Sequence, residues 1–179
     1  EEISQDISNF MITPKVDGMY TMIMINDGKV HVLNTNHSYL EGSYEEKNIT
    51  IFDAEYVEIN GKSCYYILDV ILYNSEPINT YELPFQDRVK YIDMISNIDT
   101  RFIKKPFVRL TQQNYAKEIR DMYNSLDSHE YGTDGIIMIS CNKPYQTTLN
   151  LKWKTMRHMT VDFIARACPK QLLGITPYI

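Results

Sequence analysis

At 179 residues the chain is long enough for one domain with a real buried core. Hydrophobic residues make up 44% and charged residues 23%, ordinary for a globular protein, and no apolar run approaches the roughly 18 residues that a membrane-spanning helix needs. A net charge of −5 and a pI near 5.4 argue against a domain whose main task is to coat nucleic acid, but leave room for a local basic pocket.

The first half reads as strands. "MYTMIMIN" and "KVHVLNTN" flank Asp27-Gly28, and "NITIFDAEYVEI" and "KSCYYILDVILYN" flank Asn60-Gly61. Each is a pair of β-prone runs across a two-residue turn, the signature of an antiparallel hairpin. The texture then changes. "PFQDRVKYIDMISN" spaces Phe85, Val89, Ile92 and Ile95 as a helix does, and "RFIKKPFVRL" reads as a strand. "QQNYAKEIRDMYNSLDS" puts Tyr115, Ile119, Met122, Tyr123 and Leu126 on one helical face. The runs "DGIIMIS", "TTLNLKWK" and "TVDFIA" predict three further strands. Hairpins mixed with a few helices, with no repeat or linker, predict a single α+β domain over residues 1–179, with antiparallel sheets flanked by helices. No signal peptide is visible, and the start at Glu1 reads as a fragment of a longer chain. Cys64, Cys141 and Cys168 lack metal-site spacing and read as reduced thiols of an intracellular protein. His31, His37, His129 and His158 also lack ligand spacing and read as surface or structural residues.

The candidate chemistry sits on strand runs and their ends. Lys15 precedes Asp17-Gly18, where glycine serves a turn that wants positive φ. Alternation places Asp53 and Glu55 on one strand face, and Lys152 and Lys154 on another. Asp69 closes "YYILD", and Asp134-Gly135 opens "DGIIMI". Taken singly, each pair is best read as a solvated face, because charges rarely go inside. Together, three lysines and four acids form a plausible site for a polyanion and a divalent cation. The four basic residues of "RFIKKPFVRL" could touch RNA, but a solvated strand face is the simpler reading.

The serial order of these pieces carries a resemblance. Lys-x-Asp-Gly, an acidic strand, "ILDVIL", "DGIIMI" and "LKWK", from residue 15 to residue 154, resemble the motif series of the covalent nucleotidyltransferases. That superfamily holds ATP-dependent DNA ligases, RNA ligases and mRNA-capping guanylyltransferases. "LKWKTMRHMTVDF" resembles the capping enzymes more than the ligases, and Arg88 in "LPFQDRVKYI" resembles an arginine that precedes a helix in both. The bias to Ile, Asn, Tyr and Met and the loose motifs fit a viral member.

The resemblance implies a two-step reaction. Lys15 attacks the α-phosphorus of GTP, and the bound GMP then passes to a 5′-diphosphate RNA end. It implies nucleotide contacts from Asp17, Gly18, Glu55, Lys152 and Lys154, the last two on phosphate. It implies Mg²⁺ or Mn²⁺ at Asp134, with Glu55 shared between metal and nucleotide. Tyr66 or Leu68 would pack on the purine, because an aromatic residue usual before Asp69 is here Leu68. Two further departures are Met19-Tyr20 where Gly-x-Arg is usual, and Asp53-Ala54-Glu55 where Asp-Gly-Glu is usual. After Phe163 too few residues follow for the oligonucleotide-binding-fold (OB-fold) domain of complete enzymes, so the expectation is a catalytic module that labels itself poorly alone. Triphosphatase, methyltransferase or OB-fold domains would belong to a parent chain. The competing readings are an ATP-dependent ligase and a non-catalytic subunit of a transcription complex.

Overall fold

The computed structural model describes residues 6–33, 38–40, 48–78, 83–145 and 150–155. In chain order these form β1 (Phe10–Val16), β2 (Met19–Asn26), β3 (Lys29–Leu33), β4 (Ser38–Leu40), β5 (Thr50–Ile59), β6 (Lys62–Tyr73), β7 (Glu76–Pro77), α1 (Phe85–Ser96), β8 (Phe102–Lys104), β9 (Val108–Arg109), α2 (Tyr115–Ser125), β10 (Thr133–Ser140) and β11 (Asn150–Lys154). Both predicted hairpins form. Asp27-Gly28 joins β2 to β3 and Asn60-Gly61 joins β5 to β6, and all four turn residues have φ between 47° and 74°. Two successive positive φ values match the right-handed twist of the flanking strands.

These hairpins build a seven-stranded sheet in the order β4-β3-β2-β5-β6-β7, with β8 added parallel to β6. A second sheet, β11-β10-β1-β9, is antiparallel throughout. Each sheet buries one face. Ile23, Ile25, Phe52, Ala54, Ile67 and Val70 of the larger sheet pack on Ile92 and Ile95 of α1. Ile12 and Ile136 of the smaller sheet pack with Met122 of α2 and with Leu126 just beyond it. Tyr115 and Tyr123, predicted on the same helical face, are 42% and 45% exposed, so the buried stripe of α2 is narrower than its apolar spacing implies. The architecture is α+β with sheets flanked by helices, as the hairpin and helix patterns predict, and no OB-fold barrel forms among the described residues.

The run "RFIKKPFVRL" is two strands, not one. Pro106 has no N–H to give a ladder, and the chain leaves the larger sheet as β8 and enters the smaller one as β9. The "TVDFIA" strand, the Thr160-Val161-Asp162-Phe163 motif, His37, His158 and Cys168 lie outside the described residues. Cys64 and Cys141 are free thiols. No helix among the described residues is long and apolar enough to cross a membrane.

The first turn of α1 ties the two sheets together. The N–H groups of Phe85 and Gln86 donate to the carbonyls of Lys143 and Cys141, in the loop that follows β10. Arg88 lies within this turn rather than ahead of the helix. It is completely buried and donates to both oxygens of Asp69, at 2.8 and 2.7 Å, and to the carbonyl of Leu83 at 2.6 Å.

Candidate functional site

The unburied faces of the two sheets meet across a cleft of about 280 Å³. Lys15, Ile137, Asn150 and Lys152 line it from the smaller sheet, and Tyr20, Asp53, Glu55, Leu68 and Asp69 from the larger. Lys15, Gly135 and Lys154 stand opposite one another in register across three adjacent strands, so the side chains of Lys15 and Lys154 share one face.

Two β-bulges bring acids onto that face. Lys15 pairs with Gly135 but Val16 pairs with Thr133, which leaves Asp134 as the extra residue of β10. Strict alternation from the buried Ile136 would turn Asp134 toward α2; the inserted residue turns it toward the cleft instead. Likewise Asp53 pairs with Asp69 and Ala54 with Ile67, so Leu68 is extra in β6. Leu68 and Asp69 therefore both face the cleft while Ile67 and Val70 both face the core.

Asp134 is the hub. One oxygen lies 2.7 Å from Nζ of Lys15 and the other 3.0 Å from Nζ of Lys154. Burial works against its charge, but hydrogen bonds from Lys15 and Lys154 outweigh it and hold the carboxyl below the usual range. Burial pushes Glu55 up, against the pull of Lys105, Lys15 and Lys152. Lys105 is 2% exposed, and burial drives its ammonium down to about 8, with Lys15 adding like charge and Glu55 opposing. Asp53 accepts from the hydroxyls of Tyr20, at 2.7 Å, and Tyr145. Burial and the Asp53 bond raise Tyr20 to about 12.

Gly18 and Gly135 are needed for space. The φ of Gly18 is not positive, contrary to the turn reading; a Cβ there would lie 2.6 Å from the carbonyl oxygen of Tyr56. At Gly135 a Cβ would lie 1.9 Å from the carbonyl oxygen of Trp153, so only glycine lets β11 close on β10 beside Lys15.

The structure thus gathers Lys15, Glu55, Leu68, Asp134, Lys152 and Lys154 around one cleft. Asp17 is exposed at its edge, and its N–H donates to the carbonyl of Gly132 at 2.8 Å. Tyr66 is not part of the cleft lining. It shares a strand face with Leu68 but lies beyond the end of the cleft, against Tyr131, with ring centroids 4.3 Å apart. Lys105, Tyr20 and Tyr145 were not anticipated. Lys105 reads as a solvated charge beside Lys104, and the only sequence signal against that is the pair's place on a strand, where one of two neighbours must face inward.

Among the described residues no group of three or more His, Cys, Asp or Glu side chains forms a metal cluster. Asp134 and Glu55 are hard oxygen donors on the two walls. They fit a cation that arrives with most of its ligands as phosphate and water oxygens, the usual habit of Mg²⁺.

No protein-family model matches the chain. It is similar to an mRNA-capping enzyme of Caenorhabditis elegans, 29% identical over 201 aligned positions that cover 94% of this chain and 32% of the relative. The chain spans about a third of that relative's length. Among solved structures it resembles the ligase domain of M. tuberculosis LigD, with a TM-score of 0.57 and 13% identity over 78% of this chain and 50% of that one. Mycobacterial DNA ligase D complexed with ATP and MES gives the same TM-score of 0.57 at 13% identity, with the same 78% and 50% coverage. A Lig E DNA ligase gives 0.52 at 11% identity over 84% of this chain and 64% of that one.

The fold is that of a DNA ligase domain. This matches the architecture that the motif order implies.

Proposed function

We propose that the chain is the nucleotidyltransferase module of an mRNA-capping guanylyltransferase. The observation that carries this is the amine of Lys15 held 2.7 Å from Asp134 in a cleft that also gathers Lys105, Lys152 and Lys154. The likeness to a capping enzyme along nearly the whole chain supports the choice over a ligase.

In this reading Lys15 is the nucleophile. It must shed a proton to offer its lone pair. Asp134, in contact with Nζ, orients the amine, and the proton passes to water. The nitrogen–phosphorus bond forms to the α-phosphorus of GTP as the bond to pyrophosphate breaks. Lys152 and Lys154 neutralise the phosphates, and Leu68 and Ile137 frame the purine from opposite walls. Asp17 and Gly18 shape the approach of β1 to the larger sheet, and Glu55 holds the ribose or shares the cation. Mg²⁺ or Mn²⁺, held by Asp134 and Glu55, would supply charge for the leaving pyrophosphate. The GMP then passes to a 5′-diphosphate RNA end. An OB-fold domain, and any triphosphatase or methyltransferase, would lie elsewhere in the full protein.

The test is to incubate the full-length protein with labelled GTP or ATP and Mg²⁺, then run a denaturing gel. The expected result is an acid-labile, base-stable label from GTP alone. Label from ATP alone would make the module a ligase, and no label from either would make it a non-catalytic subunit.

Lys105 adds a pH signature. It carries charge below about pH 8 and loses it above. GTP affinity is therefore expected to weaken as pH rises through about 8, measured by calorimetric titration between about pH 7 and about pH 9.5. The same series on Lys105→Met should lose that step. An unchanged pH profile in the variant would remove Lys105 from the site.

A further inference from the structure

One cross-strand row of the larger sheet runs from Tyr20 through Glu55 and Tyr66 to Ile103. Residues directly opposite on neighbouring strands share a face. The row thus begins in the cleft, at Tyr20 and Glu55, and leaves it at Tyr66. Strand spacing puts Ile103 two strands from Glu55, within roughly 10 Å. A second depression, of about 440 Å³, opens there, walled by Tyr66, Tyr131, His129, Lys104 and Pro106. Its walls join those of the cleft. Tyr131 precedes Gly132, which accepts the N–H of Asp17, and Lys104 precedes the buried Lys105.

The walls have the character of a stacking site. His129 lies on Tyr131 with centroids 4.7 Å apart and planes 20° from parallel, and Tyr66 contacts the same ring. His129 itself is partly exposed. Flat, stacked rings on the wall of an open depression suit a nucleobase. The donor's purine already has Leu68 and Ile137 in the cleft, which leaves this depression for the second substrate.

Resting on the guanylyl-transfer reading, we propose that this depression binds the first nucleobase of the acceptor RNA, stacked on the His129–Tyr131 pair. The 5′-diphosphate then extends along the row toward Lys15. Its terminal oxygen forms the new bond to phosphorus, the phosphorus–nitrogen bond breaks, and the amine of Lys15 leaves with a proton from water.

The experiment uses the full-length protein, labelled at the first step and then mixed with 5′-diphosphate RNA in a single turnover. The acceptor is either ordinary or abasic at its first nucleotide. For His129→Ala the half-saturating RNA concentration is expected to rise roughly 5- to 150-fold, the range for losing one base–aromatic stack. First-step labelling and its GTP dependence should not change, and His129→Phe should restore most of the stacking loss. In the wild type the abasic acceptor should show a similar loss, with little further loss in His129→Ala. If the wild type uses the abasic acceptor as well as the ordinary one, the proposal is overturned without reference to any variant's folding. If His129→Ala instead raises the GTP needed for labelling, the depression serves the donor and the proposal is also overturned. A wild type that takes no label from GTP fails the parent reading, and this one with it, before RNA is added.

Discussion

Lys15→Ala is expected to abolish the covalent nucleotide label, a loss on the order of 10³-fold or more, as for removal of other enzymic nucleophiles. Lys15→Arg should fail as completely. A guanidinium keeps its proton at any accessible pH and has no lone pair to offer phosphorus. Neither change should unfold the protein, because Asp134 keeps its second ion pair, at 3.0 Å to Lys154. Thermal unfolding close to wild type, beside a blank lane on the gel, would separate chemistry from stability. A label that persists in Lys15→Ala would move the nucleophile to another amine, with the buried Lys105 the first to examine.

Arg88→Ala is expected to give the largest loss of stability among single changes around the cleft. The guanidinium is fully buried, and its two hydrogen bonds to Asp69 are bidentate. Removing it strands a carboxylate that burial already disfavours in its charged form. Breaking one half of a buried ion pair costs about 3–5 kcal/mol. For a domain of this size that is a fall of roughly 6–20 °C in the unfolding midpoint. The change also removes the donor to the Leu83 carbonyl ahead of α1. Calorimetry on the full protein measures the shift. The double change Asp69→Leu with Arg88→Met should recover much of it, since an apolar pair replaces both charges at once. A shift under about 1 kcal/mol for Arg88→Ala would mean that water reaches Asp69 and that the pair is not buried in solution.

Much of the fold is legible in the chain because its signals are local. Asp27-Gly28 and Asn60-Gly61 announce their hairpins through backbone chemistry that few other residues satisfy. The spacing of Ile92 and Ile95 marks the buried stripe of α1 in the same way. The pairing of Lys152 with Lys154, and of Asp53 with Glu55, follows from the period of a strand. The rest depends on where that period breaks. A bulge is one inserted residue, and nothing in "ILDV" or "TDGI" says which strand will carry it. Hence Asp134 reaches both lysines, and Asp69 joins Leu68 in the cleft, in ways that alternation does not foretell. Gly18 was readable as a glycine position but not as one set by the carbonyl of Tyr56, which arrives from a distant strand. Lys105 stayed hidden because a charged residue is inside only when partners far along the chain receive it, here Glu55.

The strand that carries Lys15 has no neighbour close to it in sequence. It pairs with Val108–Arg109 and with Thr133–Ser140, while the hairpins of the larger sheet close on themselves within a few residues. Distant pairings form late because the intervening chain must first give up its freedom. A ribosome-bound chain can therefore finish much of one sheet while the strand of Lys15 still waits for a mate. On the guanylyl-transfer reading, self-labelling is expected only after synthesis has passed β10, and refolding should regain the hairpins well before it regains the label.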